Sequence, residues 1–110
     1  MSDEPEVWTP EEYRALTALT LEKYREEGGP AEDEQVTMAF DFLPGPEANA
    51  ETALRALSMF GYTGTVEEGT LTIQVPDVPL TLEGIWAHEE KLITICTARG
   101  FIPDGWGFYA

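Results

Sequence analysis

Hydrophobic and polar positions follow two different periods along this chain. In residues 35–43 they alternate, and the apolar side of this predicted half-buried strand consists of Val36, Met38, Phe40 and Phe42. Residues 62–66 and 71–75 predict two more strands, joined by a tight turn at residues 67–69. Such a short turn cannot make a parallel crossover, so these two strands are predicted to form an antiparallel hairpin.

Helical spacing appears first near the start of the chain. Thr9 is the predicted N-cap, Pro10 occupies the first helical position, and Glu12 completes a capping box. This helix is expected to reach about Glu27, after a frayed beginning of the chain, and residues 32–34 are expected to form a loop. Its predicted inner face consists of Tyr13, Leu16, Thr20 and Tyr24.

Two further helices are predicted between the strands. One begins at about Glu47 and ends at Gly61, which suits the left-handed position that follows a helix. The other follows residues 76–79 and spans roughly Thr81 to Arg99. Its apolar stripe consists of Leu82, Ile85, Trp86, Leu92, Ile93 and Cys96. Glu89 interrupts that stripe and is expected at its edge, with a buried functional carboxylate as the alternative interpretation.

Residues 100–109 predict a closing strand with a built-in irregularity. They contain four aromatic residues, which favour a pleated and half-buried surface, and three glycines, which mark a bulge or a close approach of backbone. Asp104 is expected to form a turn with Gly105, with contact to a ligand as the alternative interpretation. Trp106 has two interpretations, a core anchor of this strand or an exposed anchor for a partner, and both stay open.

The order of these elements predicts an α+β fold. After the first helix come strand, helix, strand, strand, helix and strand, which favours a ferredoxin-like sandwich of a four-stranded antiparallel sheet with two packed helices. Residues 1–34, an acidic helix and loop, are expected to belong to the same unit as the α+β domain of residues 35–110. The predicted core contains Val36, Met38, Phe40, Leu54, Leu57, Leu71, Ile73, Ile85, Leu92 and Cys96.

Charge restricts the partners that this chain is expected to bind. Six Lys and Arg residues against 21 Asp and Glu residues leave a formal net charge of -15, which disfavours direct binding to nucleic acid. Such a surface is either simply well solvated or suited to a basic partner, and both interpretations stay open. The acidic start lacks the basic region of a signal peptide, and no apolar run is long enough for a membrane span, so a cytoplasmic protein is expected.

Residues with catalytic chemistry are sparse and badly placed for it. His88 and Cys96 lie two turns apart on the predicted helix, too far for a nucleophile and its base. Cys96 is expected to be a small core residue, and one cysteine permits neither an internal disulfide nor a thiolate cluster for zinc. An enzyme is therefore disfavoured, and neither a metal nor a cofactor is expected.

Several segments resemble the ribonuclease E inhibitor RraB family. They are the strand Thr37-Met38-Ala39-Phe40-Asp41-Phe42, the helix end Leu57-Ser58-Met59-Phe60-Gly61-Tyr62, and Gly100-Phe101 followed by Asp104-Gly105-Trp106-Gly107. Pro103 stands where the family motif has an aromatic residue. The resemblance runs from about Gln35 to Tyr109, and it implies an α+β sandwich that binds ribonuclease E without being an enzyme and tempers RNA decay.

The preferred hypothesis is therefore an acidic regulatory protein whose partner is ribonuclease E or another basic RNA-binding protein. Candidate interaction residues are Glu89, Asp104, Gly105, Trp106, Gly107 and Tyr109. The alternative is a small-molecule-binding or immunity-type module on the same sandwich. Binding that depends steeply on salt would favour the first hypothesis, and a ligand carried through purification would favour the second.

Overall fold

Helices and strands follow one another in the predicted order. The computed structural model describes residues 8–29 and 34–109, so the predictions for residues 1–7 and for most of the loop at 32–34 lie outside the described residues. The described residues form α1 (Pro10–Glu26), β1 (Gln35–Pro44), α2 (Ala50–Met59), β2 (Thr63–Glu67), β3 (Thr70–Pro79), α3 (Leu82–Thr97) and β4 (Phe101–Tyr109).

The four strands form one sheet in the order β2-β3-β1-β4, and every neighbouring pair is antiparallel. The predicted hairpin is confirmed, since β2 and β3 pair from Thr63 with Gln74 to Glu67 with Thr70. Its two turn residues, Glu68 and Gly69, have φ angles of 51° and 87°. Positive φ at both central residues matches the right-handed twist of the strands that such a turn joins. The prediction of an antiparallel sheet with helices is thus confirmed.

Local capping explains where the helices begin and end. The capping box of Thr9 and Glu12 is present at α1. At the end of α2, the backbone N–H groups of Gly61 and Tyr62 donate to the carbonyls of Ser58 and Leu57, and Gly61 has a φ of 84°. This is a Schellman arrangement, which needs a left-handed residue after the helix. The predicted helix end at Gly61 is confirmed, and β2 begins one residue later than predicted because Tyr62 belongs to the cap.

Two predicted boundaries are wrong by three residues or more. The second helix begins at Ala50 and not near Glu47, because the Asn49 side chain accepts a hydrogen bond from the Thr52 backbone N–H and caps it. Strand β3 continues through residues 76–79, which were placed outside it. Strand β2 pairs with β3 only as far as Gln74, so the prolines beyond that point lie where β3 is paired with β1 alone, and a strand edge tolerates proline.

The core lies between the sheet and the helices, and the predicted core residues are buried except Leu54, which is half-buried. The inner face predicted for α1 is partly wrong. Tyr13 is buried as predicted, but the other buried positions of α1 are Thr17 and Leu21, and Leu16 is 45% exposed. A polar residue occupies the inner stripe because its hydroxyl finds a partner on α3, as described below.

Candidate functional site

A cleft of about 430 Å³ opens between α1, α3 and the β1–β4 side of the sheet. Most of its lining is aromatic or aliphatic, and the polar groups come from a few residues. The cleft is lined by Trp8, Tyr13, Leu16, Thr17, Thr20, Phe40, Asp41, Phe42, Glu89, Ile93, Ile102, Pro103, Asp104, Gly105 and Trp106. An apolar cleft with a few converging polar groups is the usual form of a small-ligand site.

Glu89 is the buried charged group of this cleft. The residue lies on α3 and is only 7% exposed, so the predicted position at the edge of the stripe is wrong. The Thr17 hydroxyl of α1 donates a hydrogen bond of 2.6 Å to Glu89 Oε1. Trp106 Nε1 of β4 in turn donates to the Thr17 oxygen over 3.1 Å. Three elements thus meet in one hydrogen-bonded chain that runs from indole to hydroxyl to carboxyl.

Burial changes the acidity of Glu89. Removal from water raises the pKa of this carboxyl from 4.5 to about 7, and the hydrogen bond from Thr17 opposes that rise because it favours the charged form. No described residue donates to Oε2, and no fully buried side-chain oxygen in the described residues lacks a partner, so Oε2 keeps access to the cleft. Near neutral pH the carboxyl can therefore take up or release a proton, or hold a cation, at Oε2.

The bulge of the last strand supplies the rim of the cleft. The register of β1 with β4 shifts between Asp41, which pairs with Gly105, and Phe42, which pairs with Pro103. Asp104 is the additional residue, and Gly105 has a φ of 110°. The predicted irregularity is confirmed, but the turn expected at Asp104 is a β-bulge inside a continuous strand. A bulge re-aims side chains, and this one lies among residues that line the same cleft as Glu89.

The predicted site residues divide into two groups. Glu89, Asp104, Gly105 and Trp106 all line the cleft. Gly107 and Tyr109 do not belong to its lining. Tyr109 is 59% exposed at the end of the strand, where it pairs with Thr37.

Trp106 combines the two interpretations left open by the sequence. Its side chain is half-buried and packs against the core cluster, and its ring centroid lies 6.1 Å from that of Tyr24. The residue also lines the cleft. It is therefore a packing residue of β4 that also forms part of an accessible wall.

Sequence reasoning missed the contribution of Thr17 on α1 and of Trp8, which precedes that helix. Thr17 completes the hydrogen-bonded chain, and Trp8 and Tyr13 form part of the wall with their rings stacked at a centroid distance of 5.5 Å. The available signal was position, because Tyr13, Thr17 and Leu21 recur every four residues on one helical face. A helix face predicted from hydrophobicity alone does not include Thr17.

His88 and Cys96 do not meet. His88 Nδ1 is hydrogen-bonded to the Tyr62 hydroxyl at 3.0 Å, and burial and the nearby charge of Lys91 lower the pKa of this imidazole. Cys96 is fully buried, as predicted, and burial raises the pKa of its thiol to about 12. A buried thiol of this kind is inert as a nucleophile. Among residues 8–29 and 34–109, no group of three or more His, Cys, Asp or Glu side chains is arranged to hold a metal ion.

Comparison of the chain with protein-family models and with curated proteins gives no match in either case. In the described part of the chain, the helices are too short or too polar to cross a membrane.

Proposed function

We propose that this chain is a non-enzymatic, acidic regulatory protein that binds a basic protein segment. The proposed partner is ribonuclease E or another basic RNA-binding protein, and the proposed effect is to temper RNA decay in the cytoplasm. The observation that carries the proposal is the unneutralised acidic surface. At most six of the 21 acids can pair one-to-one with Lys or Arg, and of the 16 acids in the described residues all but Asp41 and Glu89 are exposed.

Such a surface favours a cationic partner in two ways. It attracts basic segments over long range and speeds their association, and it repels RNA, which it would displace from a shared basic segment. The resemblance of residues 35–109 to the RraB family supports the same class of partner. A ferredoxin-like topology is part of the proposal, and the central positions of β1 and β3 with β2 and β4 outside support it.

Isothermal titration against purified ribonuclease E, and against a basic segment of it, tests this proposal. Raising the salt concentration from about 0.05 to 0.5 M shortens the Debye length from roughly 14 Å to roughly 4 Å, so affinity and association rate are expected to fall. An acidic segment of equal length is the matched control and is expected not to bind. Affinity that stays constant across this range would show that the acids only solvate the protein. The ribonuclease is also expected to cleave RNA more slowly when the protein is bound.

A second candidate function is a small-molecule-binding or immunity-type module. The cleft beside Glu89 favours it, because a volume of about 430 Å³ lies within the range of roughly 300 to 1,000 Å³ that small-ligand sites occupy. Native mass spectrometry of the freshly purified protein tests this candidate. A retained small molecule, lost in a variant whose cleft is blocked by Thr17→Trp, would favour it over the regulatory protein.

A further inference from the structure

We propose that the cleft beside Glu89 is the receptor for one arginine side chain of the basic partner, with the Glu89 carboxylate as its counter-ion. This inference rests on the proposed function for the identity of the partner. The cleft itself is defined by residues of four elements: Glu89 on α3, Thr17 on α1, Phe40 on β1 and Trp106 on β4.

Charge complementarity is the first reason. Among the residues that the structure describes, the charged ones that line the cleft are Asp41, Glu89 and Asp104, and no Lys, Arg or His stands with them. One Asp41 oxygen is occupied by the Thr72 hydroxyl, which donates to it over 2.7 Å. Glu89 Oε2 has no donor among the described residues, although the residue as a whole is 7% exposed. A buried carboxylate is stable only when its oxygens are paired, and an incoming cation supplies that pairing.

The shape of the walls is the second reason. The aromatic residues that line the cleft are Trp8, Tyr13, Phe40, Phe42 and Trp106. Trp8 is 45% exposed and Trp106 is half-buried, so these two rings are the accessible ones, and aromatic rings attract cations. A guanidinium group is planar, stacks on aromatic rings and is less strongly hydrated than an ammonium group, so this site favours arginine over lysine. The aliphatic part of the arginine side chain would lie against the apolar rim.

Exposed apolar surface at the rim of the cleft is the third reason. Trp8 and Leu16 are each 45% exposed, which leaves apolar surface beside the entrance that a bound segment would cover. Single exposed apolar residues are ordinary on protein surfaces, but these two stand on the wall of the same cleft as the Glu89 carboxyl. The site therefore provides the parts of an interface hot spot: an apolar pocket, aromatic walls and one desolvated charge.

The test uses two guanidinium probes and their neutral isosteres. The probes are n-butylguanidinium and a peptide of alternating arginine and glycine, and the controls are n-butylurea and the same peptide with citrulline. Titration calorimetry measures their binding to wild type, to Glu89→Gln and to Glu90→Gln. The two variants each remove one negative charge, but Glu90 is an exposed neighbour on the same helix and does not line the cleft.

The arginine peptide is expected to bind wild type and Glu90→Gln within about twofold of each other, and Glu89→Gln at least about tenfold more weakly, since charge-assisted hydrogen bonds are the strong ones. Citrulline is expected to abolish the difference between the variants. Binding is also expected to strengthen from pH 6 to pH 8, because the cation needs the ionised form of Glu89. The other titratable residues that the structure describes in the lining of the cleft are Tyr13 on α1, Asp41 on β1 and Asp104 on β4, and charge-removing variants of the two aspartates serve as pH controls.

Each other outcome overturns a defined part of the inference. Equal peptide binding by all three proteins would overturn the arginine site and leave the proposed function standing. Glu89-dependent binding of n-butylguanidinium without binding of the peptide or of ribonuclease E would overturn the partner as the source of the cation. The same peptide with lysine in place of arginine is one further probe, and its binding with an affinity equal to that of the arginine peptide would overturn the selection of the planar group. Failure of both probes would overturn the site altogether.

Discussion

Neutralising Glu89 is expected to stabilise the protein at alkaline pH. The folded state raises the pKa of this carboxyl from 4.5 to about 7, so between these values the native protein holds a proton that the unfolded chain has lost. Stability therefore falls as pH rises through this window, and the loss is complete above the folded pKa. In Glu89→Gln the amide oxygen can still accept the hydrogen bond from Thr17, and the variant has no carboxyl to ionise.

The size of this change in stability follows from the rise in the pKa of Glu89. A rise of the Glu89 pKa from 4.5 to about 7 lowers the free energy of unfolding by an amount on the order of 3 kcal/mol when the carboxyl is fully ionised. The conversion is about 1.4 kcal/mol for each pKa unit. Part of this loss of stability is already present at pH 5. The free energy of unfolding of wild type is therefore expected to fall by about 2.5 kcal/mol between pH 5 and pH 8 relative to that of Glu89→Gln. That is a large part of the roughly 5 to 15 kcal/mol that stabilises a typical domain.

Urea unfolding at pH 5, 6, 7 and 8 measures this difference. Wild type carries 21 acids, and their mutual repulsion also changes with pH, so the informative quantity is the difference between variant and wild type at each pH. Glu90→Gln is the control, because it removes one charge from an exposed position of α3 and is expected to follow the wild-type profile. Parallel profiles for wild type and Glu89→Gln would refute the proposed burial of the Glu89 charge.

Three further predictions concern the last strand and the thiol. Gly105→Ala is expected to cost about 1 kcal/mol of unfolding free energy in urea titrations, because Gly105 has a φ of 110°. Gly107→Ala is its control: a Cβ meets nothing within 4 Å at either position, but Gly107 has no positive φ, so equal losses would contradict the backbone explanation. Trp106→Ala is expected to cost about 2 kcal/mol, less than the roughly 3 to 5 kcal/mol of a fully buried tryptophan, because the side chain is half-buried; unchanged thermal stability would contradict its packing role. Cys96 is expected to resist iodoacetamide in the native protein and to react in urea, as followed by mass spectrometry, since the thiol is fully buried with a pKa raised to about 12; rapid native labelling would contradict this.

Local sequence patterns were sufficient to predict most of the helices, strands and turns. The capping box at Thr9, the left-handed glycine at Gly61 and the turn at residues 67–69 are local patterns with local physical causes, and all three are present. Strand β3 shows where such signals mislead. Whether Pro76 ends a strand depends on the neighbour at each edge, and that information lies in the pairing of distant segments.

The cleft shows the limit of sequence reasoning more clearly. Glu89 and Thr17 are 72 residues apart in sequence, and each looks unfavourable at a buried helical position when considered alone. The hydrogen bond between them offsets part of the cost of burying both groups, and no pattern within a single helix contains that information. The hydrophobic pattern of α3 correctly predicted burial of the apolar residues on the same face as Glu89. Because that pattern counts apolar residues only, it assigned Glu89 to the edge of the stripe.

Trp106 connects the stability of the fold to the chemistry of the cleft. Its indole N–H donates to Thr17, which donates to Glu89, so loss of the ring removes packing from β4 and also removes the donor that orients the hydroxyl. The core and interface interpretations of this residue are therefore not independent. A Trp106→Phe variant keeps most of the packing and loses only the donor, and Thr17→Val removes the hydroxyl from both hydrogen bonds. If the hydrogen-bonded chain holds the carboxyl for a cation, both variants should weaken guanidinium binding even where the fold remains intact.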